Sequence, residues 1–325
     1  MAFTTAEQAL ARRRFGSTEL MVPPIAIGCA PLGDMADTFG YSVSEEDAIA
    51  TVKTVLASPI NFIDTAAHYG DGESERRIGL VLKELGGLPQ GAVLETKEGR
   101  EVATNDFSGE MLKRRLERSL NLLGLDKLQI VYLHDAEWTT FEEAMAPGGP
   151  VEVLRTYRDQ GVIQYLGVAA GPVDVETQYV ETGLFDALIT HNRYTLLNQS
   201  ANWLIEFASS QGIAVLNAAP YGSGMLAKGA AAYPRYAYQQ APPELLEQTK
   251  VLNEIADRYG VPLPSVALQF STRDPRITAT IVGLSKPERI QQTIDYLMVD
   301  IPDALWDEVS ALPRFENDPE INRWK

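Results

Sequence analysis

Eight short apolar runs rich in β-branched residues recur along this chain, each followed by a stretch long enough for a helix. They are Pro24 to Gly28, Ile60 to Asp64, Ala92 to Thr96, Leu128 to Leu133, Ile163 to Val168, Ala187 to Thr190, Ala214 to Asn217 and Thr278 to Val282. Strands alternating with amphipathic helices predict βα units and a parallel sheet. Eight such units is the number that closes a (β/α)8 barrel. The helix boundaries agree: Ser44 before Glu45-Glu46-Asp47 and Ser108 before Gly109-Glu110-Met111 read as N-caps. Leu112, Leu116, Leu120 and Leu123 recur at helical spacing, as do Val251, Ile255 and Tyr259 before Gly260. No linker interrupts the series, so one α/β domain spanning residues 1–325 is expected. A doubly wound sheet is the alternative, but its G-x-G-x-x-G fingerprint follows none of the runs.

Composition narrows the function. A formal charge of -16 opposes a nucleic-acid partner, and the one basic run, Arg12-Arg13-Arg14, reads as a solvated helix end. The single cysteine, Cys29, allows no intramolecular disulfide and no thiolate metal cluster. No apolar span approaches the roughly 18 residues of a transmembrane helix, and Met1 to Phe15 lacks a signal-peptide core. A cytoplasmic address and no membrane partner are expected.

In such a barrel, polar residues that end different strands converge on one mouth. Asp64 ends the second run, Tyr69 lies just beyond it, Lys97 follows the third and His134 ends the fourth. Singly these are a helix cap, a core ring, a loop lysine and a satisfied imidazole; together at three successive strand ends they suggest proton chemistry. A phenol is a poor acid–base catalyst at its ordinary pKa, and an adjacent ammonium favours phenolate. Lys97 would supply that charge, Asp64 would orient Lys97, and His134 would direct the substrate oxygen. The natural partner of such a proton shuttle is hydride transfer, which requires a nicotinamide.

The stretch Asn61-Phe62-Ile63-Asp64-Thr65-Ala66-Ala67-His68-Tyr69-Gly70 resembles the signature of the aldo-keto reductases. The resemblance extends over nearly the whole chain. It includes Phe15 to Pro23, a hairpin closing the barrel bottom in that family, Gly161 to Val168 at the fifth strand, and Ile281 to Ile290. It implies a catalytic tetrad of Asp64, Tyr69, Lys97 and His134, with Tyr69 as acid–base. It also implies NADP or NAD as cofactor, bound by Gly28, Cys29, Asp64, His191, Tyr221, Gly222, Ser223, Gly224, Gly283, Ser285, Arg289 and Gln292. Arg289 matches a position that reads an adenosine 2′-phosphate and tips the choice toward NADP.

Four departures set this chain apart from that pattern. Ala169-Ala170-Gly171 stands where a polar pair commonly holds the carboxamide, His191 where many members carry Gln, Ala218 where an aromatic often stacks, and Gly283 near a frequent Lys. Ala30 to Asp34, Leu133-His134-Asp135 and Arg193 to Ala201 are most similar to the sugar-dehydrogenase branch, which includes aldose and pyridoxal dehydrogenases. The implied substrate is a small aldose or aldehyde, contacted by Tyr69, His134 and Trp138. The C-terminal tail, with Trp306 and Trp324, is expected over the barrel mouth, and the chain is expected to be a monomer or weak homo-oligomer. A nicotinamide-binding regulatory subunit resembling the potassium-channel β subunits is the alternative reading. A metal-dependent hydrolase is disfavoured, because His68, His134 and His191 show no H-x-H or H-E-x-x-H spacing. No metal ligand is therefore assigned.

Overall fold

The computed structural model describes residues 6–321. Eight parallel strands form a closed barrel: β1 (Ile25–Gly28), β2 (Phe62–Asp64), β3 (Val93–Glu98), β4 (Leu128–His134), β5 (Ile163–Ala169), β6 (Ala187–His191), β7 (Ala214–Ala218) and β8 (Ala279–Gly283). Consecutive strands pair side by side, and β8 pairs with both β7 and β1. All eight expected runs are present. Six of them extend past the expected end of the run, through Glu98, His134, Ala169, His191, Ala218 and Gly283. Side-chain polarity marks the approach of the mouth, but backbone pairing continues through it.

Period-two alternation divides each strand between two environments. Phe62, Val93, Ile130, Tyr132, Ala187, Ile189, Ala214, Leu216, Ala279 and Ile281 fill the barrel. Residues between them pack outward against the helices, as Ile63, Leu94, Val131, Leu133, Leu188 and Val215 do. The Tyr132 ring fills space that a side chain on β5 would need: a Cβ on Gly167 would lie 2.2 Å from it. The expected helix starts are also in place, with the Ser44 and Ser108 hydroxyls accepting from the amides of Asp47 and Met111. No helix among the described residues is long and apolar enough to cross a membrane.

The barrel bottom is closed by a hairpin pairing Arg13 with Val22 and Arg14 with Met21, which inserts the fully buried Phe15 beneath the interior. The basic triplet is therefore not a solvated helix end. Arg12 donates to the carbonyls of Met21 and Gly91 at 2.8 and 2.7 Å and to Asn61 at 2.6 Å. Arg13 donates to the carbonyls of Ile277 and Thr272, both at 2.7 Å. Backbone carbonyls at the bottom turns need donors, and guanidinium forks supply several at once.

At the opposite end the C-terminal tail reaches the mouth-side loops. Arg193, fully buried after β6, donates to both carboxylate oxygens of Asp318 at 3.0 and 2.8 Å and to Glu320 at 2.9 Å. The Asn198 amide donates to the Asn317 carbonyl at 2.8 Å. Trp306 does not join this rim: its indole lies under the Arg273 guanidinium, 4.4 Å from the ring centroid, on the helix Asp303–Ser310. Trp324 lies outside the described residues.

The corner after β5 is closed by acids. The Ala170 amide donates to the fully buried Glu176 at 3.1 Å, while Asp135 donates its amide to the Ala169 carbonyl at 2.8 Å. Nearby Glu137 is pushed up to about 7 by burial, with Asp135 adding to the effect and the amides of Glu137 and Gly171 opposing it.

Two outcomes follow. Phe15→Ala should cost about 3–5 kcal/mol in urea unfolding, because it empties the floor of the barrel. Folded Glu137 keeps its proton between 4.5 and about 7 while the unfolded chain releases it, so this group lowers stability as pH rises through that window. Glu137→Gln should flatten that slope, measured as the pH dependence of the urea midpoint against the parent chain.

Candidate active site

Strand register assembles the site. Gly283, Gly28, Asp64 and Glu95 are successive Cα partners across β8, β1, β2 and β3. Two residues further along β3, on the same inward face, Lys97 meets the mouth. Its ammonium lies 2.5 Å from Asp64 Oδ1, donates to the Thr65 carbonyl at 2.8 Å and reaches the Tyr69 hydroxyl at 3.2 Å. It also stands 4.8 Å from the Tyr69 ring centroid.

The loop after β2 is fixed by its own backbone. Thr65 and Ala67 donate amides to the carbonyls of Glu95 and Lys97, both at 3.0 Å, so the segment carrying Tyr69 runs along the end of β3. Gly70 then turns with φ +63° so close to Gly33 that a Cβ would lie 1.9 Å from its carbonyl oxygen. Only glycine fits there, and it sets Tyr69 at the mouth.

His134, at the end of β4, stacks on His68 with ring centroids 4.4 Å apart and planes 9° from parallel. Both imidazoles approach Asp135, His134 Nε2 at 3.5 Å and His68 Nδ1 at 3.8 Å. Tyr69 stands edge-on to His134 with 6.0 Å between centroids. The four expected catalytic residues therefore meet. His68, Asp135 and Glu95 belong beside them, and sequence reading passed over all three. The available signals were adjacency to Tyr69, adjacency to His134 and the two-residue spacing from Lys97.

Electrostatics sort these groups. Burial works against the Lys97 charge, but Asp64 and Tyr69 outweigh it and keep Lys97 an ammonium. Burial pushes Asp64 up, and Lys97 pulls it back. Burial, reinforced by His68 and Lys97, holds His134 well below the ordinary histidine range, so its imidazole is neutral. Tyr69 departs from expectation: Lys97 draws the phenol down, but burial raises it further, with Asp64 adding to the rise. The phenol is held protonated, and the ammonium limits the cost of ionising it.

Among the described residues, His68, His134 and Asp135 are the one set of potential metal ligands whose donor atoms lie within 4.8 Å of one another. Stacked imidazoles direct their in-plane lone pairs along parallel planes, which does not converge on one ion.

The remaining expected binding residues lie around the same mouth. Ala219, Gly222, Ser223 and Gly224 all have positive φ, and Ser223 Oγ contacts Asn192 Oδ1 at 3.2 Å. Within this turn the amides of Ala219, Gly222 and Gly224 donate to the carbonyls of Ile281, Ala219 and Tyr221. Arg289 is exposed and donates to Gln292 at 2.5 Å. It also lies within the electrostatic field of Tyr41 and Tyr221, and Ser285 is hydrogen-bonded to Tyr41. His191 pairs with Glu320 at 3.2 Å and is register partner of Ala218. The Cys29 side chain is buried, and its backbone holds the site from behind: its amide donates to the Asp64 backbone carbonyl at 2.8 Å and its own carbonyl accepts from the Ser74 hydroxyl at 2.9 Å. Trp138 is exposed at the rim, with the Arg100 guanidinium 4.0 Å from its ring centroid.

Comparison with known proteins gives this geometry its family. The aldo/keto reductase family model matches residues 24–313. A D-threo-aldose 1-dehydrogenase from Pseudomonas sp is 28% identical, with 90% of this chain and 94% of that protein covered. A pyridoxal 4-dehydrogenase from Microbacterium luteolum is also 28% identical, with 92% and 96% covered. The same identity is found with an L-galactose dehydrogenase from Arabidopsis thaliana, over 87% of this chain and 86% of that protein. The solved holo form of an aldo-keto reductase from Bacillus halodurans shares the fold, with a TM-score of 0.75 at 22% identity over 95% of this chain and 99% of that one. The chain belongs to the aldo/keto reductase family and is an NAD(P)-dependent oxidoreductase.

Proposed function

We propose that this chain, acting as one unit, interconverts a small aldose hemiacetal or aldehyde with its lactone or alcohol, and that Tyr69 moves the proton. The observation that carries the reading is the Tyr69 hydroxyl 3.2 Å from a Lys97 ammonium that is itself paired with Asp64 at 2.5 Å. The 28% identity to an aldose, a pyridoxal and a galactose dehydrogenase supports the substrate class.

The residues at the mouth fit a nicotinamide dinucleotide. Gly222 and Gly224 keep the turn after β7 bare of side chains, which suits the close approach of a pyrophosphate, and Gly28 and Gly283 do the same at the paired ends of β1 and β8. Ser285, Arg289 and Gln292 supply polar and cationic groups for the adenosine end, and Arg289 favours NADP over NAD. When bound, the nicotinamide accepts or returns the hydride that no side chain can carry.

The chain's own residues handle the oxygen and its proton. In reduction, the neutral Tyr69 phenol donates its proton to the developing alkoxide, and Lys97 stabilises the phenolate left behind. In oxidation, Tyr69 as phenolate takes the substrate hydroxyl proton. Neutral His134 directs the substrate oxygen toward Tyr69, and its stacking on His68 fixes the ring plane. At the rim, Trp138 and Arg100 offer an aromatic face and a donor fork to a polyhydroxylated substrate.

Because burial keeps Tyr69 protonated, oxidation should accelerate as pH rises into the alkaline range, while reduction should not. Tyr69→Phe should lower turnover by about 10²–10⁴-fold with cofactor affinity retained, read by fluorescence titration alongside steady-state kinetics. Full activity in that variant would overturn the mechanism. Arg289→Ala should weaken NADP binding about tenfold or more, the loss of one charged hydrogen bond, and leave NAD binding within about twofold. Equal losses for both cofactors would remove the preference for NADP.

A further inference from the structure

Glu95 is a fully buried carboxyl inside the barrel, one inward step below Lys97 on β3. Its Cα is the register partner of Asp64, so the two buried carboxyl groups stand beside each other on adjacent strands, both on the inward face of the barrel. From β4 the Tyr132 phenol donates to Glu95 Oε2 at 2.8 Å. Among the described residues, no N–H or O–H donor reaches Glu95 Oε1. An ionised carboxylate is acceptor-only, so two facing carboxyl groups hydrogen-bond only if one carries a proton. The pair has one clear proton location. Asp64 already accepts the Lys97 ammonium, so Glu95 is the better placed of the two to hold the O–H.

We propose that Glu95 is a positioning residue for the reaction: its carboxyl keeps one proton, donates it to Asp64, and thereby sets how tightly Asp64 holds Lys97. The inference rests on the proton role assigned to Tyr69 above. Burial, with Asp64 as the next cause, raises the proton affinity of Glu95 far above that of an ordinary carboxyl, in agreement with the geometry. Accepting a hydrogen bond from Glu95 draws negative charge away from the Asp64 face toward Lys97. The ammonium then stabilises the Tyr69 phenolate more effectively. Tyr132 orients the acid from below, and Gly167 leaves room for its ring.

The charged and titratable groups around this pair come from each packed strand. Asp64 is on β2, Lys97 on β3 with Glu95, Tyr132 on β4, Tyr69 on the loop after β2, and Cys29 follows β1. Asp186, ahead of β6, contributes to the field at Tyr132. Lys97 is the one cation that directly contacts the Asp64 carboxylate among the described residues.

Two variants and two readouts test the proposal. Glu95→Gln keeps a neutral donor toward Asp64; Glu95→Leu combined with Tyr132→Phe removes the acid without stranding the phenol. At neutral pH, infrared difference spectra of the parent chain minus Glu95→Gln should contain the carbonyl stretch of a protonated carboxylic acid. This reading needs no turnover, so it stands apart from any failure of the proposed reaction. In the pH profile of the oxidation rate, Glu95→Gln should keep its midpoint near that of the parent with kcat reduced less than about tenfold. The double variant should move the midpoint alkaline by about one unit, as expected when Tyr69 loses part of its support. The absence of the infrared band, or an acid shift of the midpoint in Glu95→Gln, would show Glu95 ionised and overturn the proposal. A double variant that folds with an unmoved midpoint would reduce Glu95 to a packing role and overturn it as well.

Discussion

The ion pair between Lys97 and Asp64, closed to 2.5 Å inside a barrel of apolar side chains, is the constraint on which the site depends. Two opposite charges taken out of water are stable there only when geometry and further hydrogen bonds compensate their desolvation. The barrel supplies this compensation: Thr65 offers its carbonyl to Lys97, Glu95 faces Asp64, and the Tyr69 hydroxyl completes the ammonium's surroundings. The pair is costly as packing. It places a fixed positive charge beside a phenol that burial keeps neutral, and the proton transfer proposed for Tyr69 rests on that arrangement.

The rest of the architecture serves that pair from a distance. Strand register sets the heights of Asp64, Glu95 and Lys97, and the loop after β2 is sewn to β3 by two amides before it delivers Tyr69. His134 comes from the next strand and is held by a stacked neighbour, not by a hydrogen bond to its Nδ1. Rigid strands and short loops thus define the centre, whereas Trp138, proposed to meet substrate, lies exposed on the rim, where exchange of a side chain leaves the barrel undisturbed.

Much of this was legible in the residues alone. Eight runs gave eight strands, and Asp64, Tyr69, Lys97 and His134 meet because they end successive strands of one closed sheet. Strand ends were harder to read: a polar residue such as His134 still pairs through its backbone. Arg12 and Arg13 looked solvated because a sequence does not reveal which carbonyls are left without donors at a barrel floor. Glu95 escaped notice for a related reason. An acid in an apolar strand reads as an exception until the facing Asp64 and the Tyr132 phenol are seen together. The phenol's protonation is not legible either, because spacing points to a nearby lysine but not to the depth of burial that opposes it.

The clasp between Arg193 and the tail makes the mouth depend on a distant part of the chain. Arg193 is separated from Asp318 by 125 residues and from Glu320 by 127, yet its guanidinium is fully buried in the finished chain. Lacking the tail, the rim after β6 would hold a buried cation with no carboxylate to balance it. The strands pair with one another without the tail, but the mouth is completed only by Asp318 and Glu320, which also give His191 its partner. Scaffold and opening thus draw on separate stretches of the chain, joined at one buried arginine.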